Sequence, residues 1–164
     1  MNNHTCCFIG HRRINDTPQL RERLQQLLLK LVKSGVTDYI FGDHSQFDSL
    51  CHMQVTKLKK EYSEIKRINF RCNYQEADDY TMQFLLDGYE KSICPNGVGN
   101  AGKASYVKRN RAMIEKSDIC IFYYDECYEP PKKSGHFSAG NPKSGTAVAY
   151  EYALKKEKKI YNVF

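Results

Sequence analysis

Short apolar runs alternate along this chain with segments of helical periodicity, and this alternation constrains the fold more than any other feature. Five runs have the length of strands: 5–9, 38–41, 65–72, 118–124 and 159–164. The run 118–124 (DICIFYY) is nearly continuous, which is typical of a strand buried on both faces of a parallel sheet. Helices between parallel strands require right-handed crossovers. The sequence therefore predicts an α/β fold, a Rossmann-like three-layer sandwich with a mainly parallel sheet of about five strands.

The helix between the first two runs has the clearest boundaries. Thr17 is a suitable N-cap, Pro18 suits the first helical position, and Gly35 ends the apolar periodicity. Further helices are predicted after Gly42 and in three segments: 76–89, 106–116 and 145–157. The segment 92–103 is predicted to be irregular. The loop 126–144 is long for a simple connection, and we expect it to form a lid in which Lys132, Lys133 and His136 close on an anion.

Length and composition narrow the functional classes. The 164 residues fit one domain spanning 1–164, and the net charge of +6 suits an anionic ligand or weak nucleic-acid binding. The seven cysteines form no C-x-x-C pair, which favours a reduced, cytoplasmic protein without a metal site. No run approaches the length of a membrane span, so no membrane partner is expected. No cofactor is predicted.

The first strand ends in Gly10, His11, Arg12 and Arg13, one of three strand ends that carry candidate ligand-binding residues. Ligands of open α/β sheets bind beyond the carboxyl ends of the strands. Glycine allows close approach of a ligand, and the two guanidinium groups offer forked donors to a phosphate or carboxylate. His11 could carry a proton or simply hydrogen-bond, and the whole segment could be a basic surface turn.

The second strand end contains Gly42, Asp43, Phe47 and Asp48 at a strand-to-helix junction. Free backbone N–H groups favour anions at such a junction, but the two carboxylates would oppose a phosphate and suit a ribose or a base. Ser45 and Asp48 also match a capping box, which would give Asp48 a structural role.

The third junction, Ser144, Gly145 and Thr146 after Lys143, is the better phosphate cradle. A hydroxyl can cap the helix, glycine allows close approach, and the lysine supplies positive charge. The alternative is an ordinary capped helix start.

Four further candidates lie near the strand 118–124. Arg109 and Asn110 could reach the crevice from the preceding helix or form part of a solvated basic face. Asp125 and Glu126 could hold a ribose, act as a base or begin the loop. No G-x-G-x-x-G and no Walker A pattern is present, so neither a dinucleotide dehydrogenase nor a P-loop NTPase is supported.

At these positions the sequence resembles the SLOG superfamily, the Rossmann-like domains related to DprA/Smf proteins and to the LOG phosphoribohydrolases, and in particular its YpsA-like branch. The shared motifs read Cys7–Arg12 (CFIGHR), Gly42 with Phe47-Asp48, Arg109–Met113 (RNRAM) and Ser144–Thr146 (SGT). The resemblance implies a Rossmann-like fold and a site for a nucleotide or nucleotide derivative. For the YpsA-like branch it implies no established reaction, and a homo-oligomer is plausible.

The chain departs from the LOG enzymes where their catalytic glutamate stands. Ala149 occupies that position, and Glu151 lies about 200° further round a helix, so it does not replace the missing carboxylate. Asn110 also stands where LOG enzymes have lysine. These departures argue against LOG-type phosphoribohydrolase activity and leave open whether the chain is an enzyme.

Three functions therefore stay open. The leading hypothesis is a binding protein for a nucleotide or nucleotide derivative, acting as a sensor or by sequestration. The first alternative is an N-glycosidic hydrolase or transferase, with its catalytic groups among Asp48, Asp125, Glu126 and Glu151 and with His11 or His44 carrying protons. The second alternative is a single-stranded nucleic-acid module, for which the twelve tyrosines could supply stacking surfaces.

Overall fold

The computed structural model describes residues 4–42, 45–72, 87–130 and 143–164. The strands are β1 His4–Gly10, β2 Val36–Phe41, β3 Lys66–Phe70, β4 Lys91–Ile93, β5 Ile119–Tyr123 and β6 Lys159–Asn162. The helices are α1 Pro18–Lys33, α2 Gln46–Lys59, α3 Ser105–Lys116 and α4 Gly145–Lys155, with a 3-10 turn at Gly102–Ala104. The predicted α/β class is thereby confirmed.

All six strands belong to one sheet in the order β4-β3-β2-β1-β5-β6, and every neighbouring pair is parallel. The expectation of about five strands is corrected by β4, which begins just before the segment 92–103 that was predicted to be irregular. Its three residues contain one apolar side chain, Ile93, and such a short strand produces no readable periodicity.

Helices α1 and α2 cover one face of the sheet, called here the first face. Helix α1 begins as predicted, because the Thr17 hydroxyl accepts a hydrogen bond from Leu20 N at 3.1 Å, and it ends before Gly35 at φ 95°. Four leucines of α1 are buried: Leu20, Leu24, Leu28 and Leu31. They pack with the rings of Phe8, Tyr39 and Phe41, and each contributes roughly 1.5–3 kcal/mol of burial free energy.

Helices α3 and α4 cover the opposite, second face. Met113 and Ile114 of α3 and two alanines of α4 pack there against β1 and β5. The thiols of Cys7 and Cys120 lie 3.5 Å apart in this core. No disulfide joins any of the seven cysteines. Within the described ranges no helix is long and apolar enough to span a membrane.

The strand order reverses between β1 and β5, and this reversal positions the site. From β1 the chain proceeds through β2 and β3 to β4 in one direction, whereas β6 lies on the other side of β5. The connections that leave β1 and β5 therefore diverge to opposite faces, which opens a crevice at their carboxyl ends.

Candidate functional site

The carboxyl edge of the sheet brings the sequence-predicted residues to one end of the molecule. Gly10 and His11 end β1, Gly42 follows β2, and Asp125 follows β5. Helices α3 and α4 begin at the same edge, because each runs back along the sheet before the next parallel strand. Arg109 and the Ser144–Thr146 segment therefore also belong to this end.

Gly10 is required by the packing of Phe47. A Cβ atom at Gly10 would lie 2.4 Å from Cδ1 of the Phe47 ring, well inside van der Waals contact. Phe47 is completely buried in the core of the first face. The group that approaches this glycine closely is thus a side chain of α2, and Phe47 acts through packing.

His11 is buried and connects the ends of β1 and β5. Its Nε2 atom accepts a hydrogen bond from Asp125 N at 3.0 Å, and its ring stacks on Tyr128 with centroids 4.1 Å apart. Burial lowers the pKa of His11, and the nearby Asp125 carboxylate opposes that shift in part. Because its Nε2 lone pair accepts this hydrogen bond, the neutral imidazole holds the end of β5 in place.

Arg12 and Arg13 are exposed and follow directly. The backbone of their loop is fixed to α2, since Gln46 N donates to the Arg12 carbonyl at 2.9 Å. Neither guanidinium forms an ion pair with another residue in the described ranges. Both remain accessible to an anion in solution.

Gly42 is in close contact with the guanidinium of Arg109. A Cβ atom at Gly42 would lie 2.9 Å from Arg109 Cζ. Arg109 is only 6% exposed, and it donates to the Cys72 thiol at 3.5 Å and to Asn110 Oδ1 at 3.2 Å. Arg109 Cζ also lies over the ring of Tyr106, 5.3 Å from its centroid.

Asn69 is a site residue that the sequence reasoning missed. It is 1% exposed and donates through Nδ2 to the Gly42 carbonyl at 3.2 Å, while its Oδ1 accepts from Ser92 Oγ at 3.0 Å. It therefore holds the end of β2 in place from β3 and β4. The available signal was an amide in an otherwise apolar strand end (Ile68–Phe70), because buried amides are retained where they are hydrogen-bonded.

Ser45 caps α2, as the capping alternative predicted. Its hydroxyl accepts from Asp48 N at 2.9 Å. Asp48 occupies the first turn of α2. Burial raises the pKa of the Cys51 thiol, and the Asp48 carboxylate adds to this shift. Asp43 and His44, predicted at the same junction, lie outside the described residues.

The start of α4 is open, unlike the ends of β1 and β2. The Ser144 hydroxyl caps the helix by accepting from Ala147 N at 3.1 Å, and Thr146 is buried. A Cβ atom at Gly145 would meet none of the described residues within 4 Å. The exposed Lys143 forms an ion pair with Glu151, with 2.6 Å between Nζ and Oε1, and its role toward a phosphate stays a prediction.

Three half-buried tyrosine rings lie after β5 and on α4. Tyr124 and Tyr150 are half-buried with centroids 4.7 Å apart, and Tyr128 is half-buried against His11. Burial raises the pKa of Tyr124, with Glu126 and Glu151 adding to the shift. Only the two ends of the predicted lid 126–144 fall within the described residues. Lys132, Lys133 and His136 lie outside the described residues.

Two of the candidate catalytic carboxylates, Asp125 and Glu126, lie in the turn that follows β5. Asp125 Oδ1 accepts from Cys127 N at 2.8 Å within its own turn, and Glu126 is exposed. Ala149, at the position of the LOG glutamate, is buried in the core of the second face. No group of three potential metal ligands occurs within the described ranges.

The fold is similar to that of DNA processing protein A from Helicobacter pylori, with a TM-score of 0.58 and 19% sequence identity. The match covers 96% of this chain and 64% of that chain, so this chain spans less than two thirds of the other protein's length. No protein-family model and no curated protein matches the sequence. At this identity the likeness shows the fold, in agreement with the Rossmann-like architecture that the SLOG resemblance implied, while the YpsA-like branch stays a prediction.

Proposed function

We propose that the carboxyl edge of the sheet binds single-stranded nucleic acid. The observation that carries the proposal is a group of half-buried tyrosine rings after β5 and on α4, the helix whose first residue, Gly145, is exposed. Stacking of bases on aromatic side chains next to a positively charged groove is the common way to hold a single strand without reading its sequence. In this arrangement a phosphate lies at the N–H groups of α4 and a base stacks on Tyr128 or Tyr124.

The charges of the edge support an anionic ligand. Arg12 and Arg13 extend into solvent from the end of β1, and the whole chain carries a net charge of +6. The N-terminus of α4 adds the positive end of its helix dipole. Tyr106, which is 49% exposed at the start of α3, offers a further ring at this edge.

The fold comparison also favours a strand over a free nucleotide. The structurally similar DNA processing protein A has a single-stranded DNA binding mode. The sequence alone placed free nucleotide binding first and nucleic acid last. The rings and this likeness together reverse that order.

A free nucleotide or nucleotide derivative is the second candidate ligand. Two observations favour it: the open space at Gly145 and the cationic Arg109 beside Gly42. Both features would suit one small anion held in the crevice, as expected of a sensor or a sequestering protein.

Fluorescence anisotropy with 5′-labelled dT12 tests the proposal, with unlabelled nucleotides as competitors. We expect the affinity for dT12 to fall steeply with salt, because bound phosphates displace counterions. Tyr128→Leu should weaken binding about tenfold through loss of stacking, whereas Tyr62→Leu, at a half-buried tyrosine beyond the far end of α2, should not. Arg12→Gln should reduce the salt slope by about 1.

Each competing reading has its own result in this experiment. Complete competition by a mononucleotide at low concentration, together with no gain in affinity from dT2 to dT12, would replace the strand by a free nucleotide. Failure of both dT12 and nucleotides to bind would contradict the proposed function.

A further inference from the structure

A cavity of about 640 Å³ lies on the first face beside the carboxyl edge, outside the crevice described above. It is formed between the loop that follows β1 and the first turns of α2. Its lining residues are Ile14, Asp16, Ser45, Gln46, Ser49, Leu50 and Met53. None of the residue patterns singled out in the sequence explains this cavity.

We propose that this cavity is a second base-binding subsite, which receives a nucleobase of the same single strand that occupies the crevice. The inference rests on the proposed function and extends it from one nucleotide to a path across the edge of the sheet. The ligand class is a base of single-stranded nucleic acid, bound through stacking and amide contacts.

The cavity combines apolar walls with a fixed amide. Ile14 and Met53 are half-buried and supply apolar contact, and a methionine sulfur interacts favourably with aromatic rings. Gln46 Oε1 accepts a hydrogen bond from Ile14 N at 3.0 Å, which fixes the amide and assigns its Nε2 donors to the other side. Those donors match the carbonyl oxygens and ring nitrogens of a base.

The carboxylate in the wall does not repel a nucleic acid as a bare charge would. Asp16 forms a bidentate pair with Arg21, with distances of 2.7 Å to Nε and 2.6 Å to Nη2. This pair lowers the pKa of Asp16 by hydrogen bonding, so the ion pair persists at neutral pH. The wall is therefore polar but electrically balanced.

Two exposed arginines connect the crevice and the cavity along the chain. Arg12 and Arg13 lie in sequence between His11, which borders the crevice, and Ile14, which borders the cavity. Their loop is fixed against α2 by the contact of Gln46 N with the Arg12 carbonyl at 2.9 Å. A strand that passes from α4 to the cavity thus crosses two guanidinium groups, which complement its phosphates.

A length series of labelled oligothymidylates, from dT2 to dT12, tests the subsite on the full chain. In the wild type, affinity should rise in two steps as the strand first fills the crevice and then reaches the cavity. Two variants block the cavity differently: Met53→Glu adds a charge, and Ser49→Phe fills the space. Leu29→Glu is the matched control, since Leu29 is a half-buried α1 residue that lines a different surface depression.

We expect Met53→Glu and Ser49→Phe to leave dT2 binding unchanged and to lower dT12 affinity about tenfold, the loss of one stacked base. Leu29→Glu should match the wild type at every length, and thermal unfolding should show all variants folded. Equal curves for Met53→Glu and Leu29→Glu would overturn the subsite, as would an equal loss at all lengths. If dT12 still binds and Tyr128→Leu weakens that binding, either of these results contradicts the subsite but not the proposed function. If dT12 does not bind at all, both proposals are contradicted.

Discussion

The glycines at the ends of β1 and β2 and the glycine at the start of α4 occupy similar junctions in very different surroundings. At Gly10 and Gly42 an added Cβ atom would lie within 3 Å of Phe47 and Arg109, respectively. At Gly145 it would meet no atom of the described part of the chain within 4 Å. The first two junctions are closed by the protein's own side chains, whereas the third is open to solvent.

This difference shows that a strand-to-helix junction can contain glycine for two reasons: to admit a side chain of the protein itself, or to leave space for a ligand. Glycine at the closed junctions allows a side chain of the same protein to pack on the backbone, which fixes α2 and α3 against the sheet. None of these three glycines has a positive φ, so backbone conformation does not require them. Of these three junctions, the one at Gly145 has room beside the glycine that no described residue fills.

The largest expected effect is on the closed side. Gly10→Ala should destabilise the protein by about 3 kcal/mol, because the new methyl group overlaps a buried ring that has no free space to move into. For a chain of this length the midpoint of thermal unfolding should fall by about 6–12 °C. Circular dichroism melting of the purified variant measures the change.

A second replacement, at Phe47, tests whether steric overlap with this ring causes the loss of stability in Gly10→Ala. Phe47→Leu shortens the side chain that contacts Gly10, so the double variant Gly10→Ala/Phe47→Leu should melt above Gly10→Ala alone. If Gly10→Ala melts within about 1 °C of the wild type, the β1 junction is not closed and the comparison fails.

The elements with strong local signals could be predicted from the sequence, and they include the helix that fixes the first face. Thr17, Pro18 and Gly35 determine α1 through cap chemistry that acts within a few residues. The nearly continuous run around β5 correctly indicated a strand buried on both faces. Because parallel strands end at the same edge, the general position of the site followed from this reading.

The contacts within the site could not be predicted, because they join residues distant in sequence. The hydrogen bond of Asn69 to the Gly42 carbonyl crosses 27 positions, and that of Asp125 N to His11 crosses 114. The ion pair of Lys143 with Glu151 likewise joins residues eight positions apart, and the sequence reasoning did not foresee it. Strand β4 was missed because three residues are too few for a pattern.

Replacing His11, which connects the end of β1 to β5, should have a smaller effect on stability than Gly10→Ala, and this effect should depend on pH. Its pKa is lowered in the fold by burial, so on acidification the unfolded chain takes up the proton first. The stability contributed by neutral His11 is therefore complete above its unfolded pKa of about 6.5 and is lost as pH falls through the folded value. His11→Asn, which retains an acceptor, should flatten the fall in melting midpoint between pH 7.5 and pH 5.

His52 keeps part of this acid dependence in the variant, because burial lowers its pKa as well. His4→Asn, at an exposed ring, controls for the removal of a histidine as such. A His11→Asn profile parallel to that of the wild type would show that the ring does not couple the two strand ends through its neutral form.

The smallest effect on stability is expected at the open junction, and it is the most informative for function. Gly145→Ala places a methyl group in empty space at the first position of α4, so the free energy of unfolding should change by less than about 1 kcal/mol, in line with helix propensity. The same methyl group occupies space beside the N–H groups where we place the phosphate, so the affinity for dT12 should fall. Gly145→Glu, which adds a negative charge at the same point, should weaken binding further while the protein stays folded.

A loss of stability as large as that of Gly10→Ala would mean that this junction is closed too. Unchanged stability with unchanged affinity would mean that the open space serves no ligand.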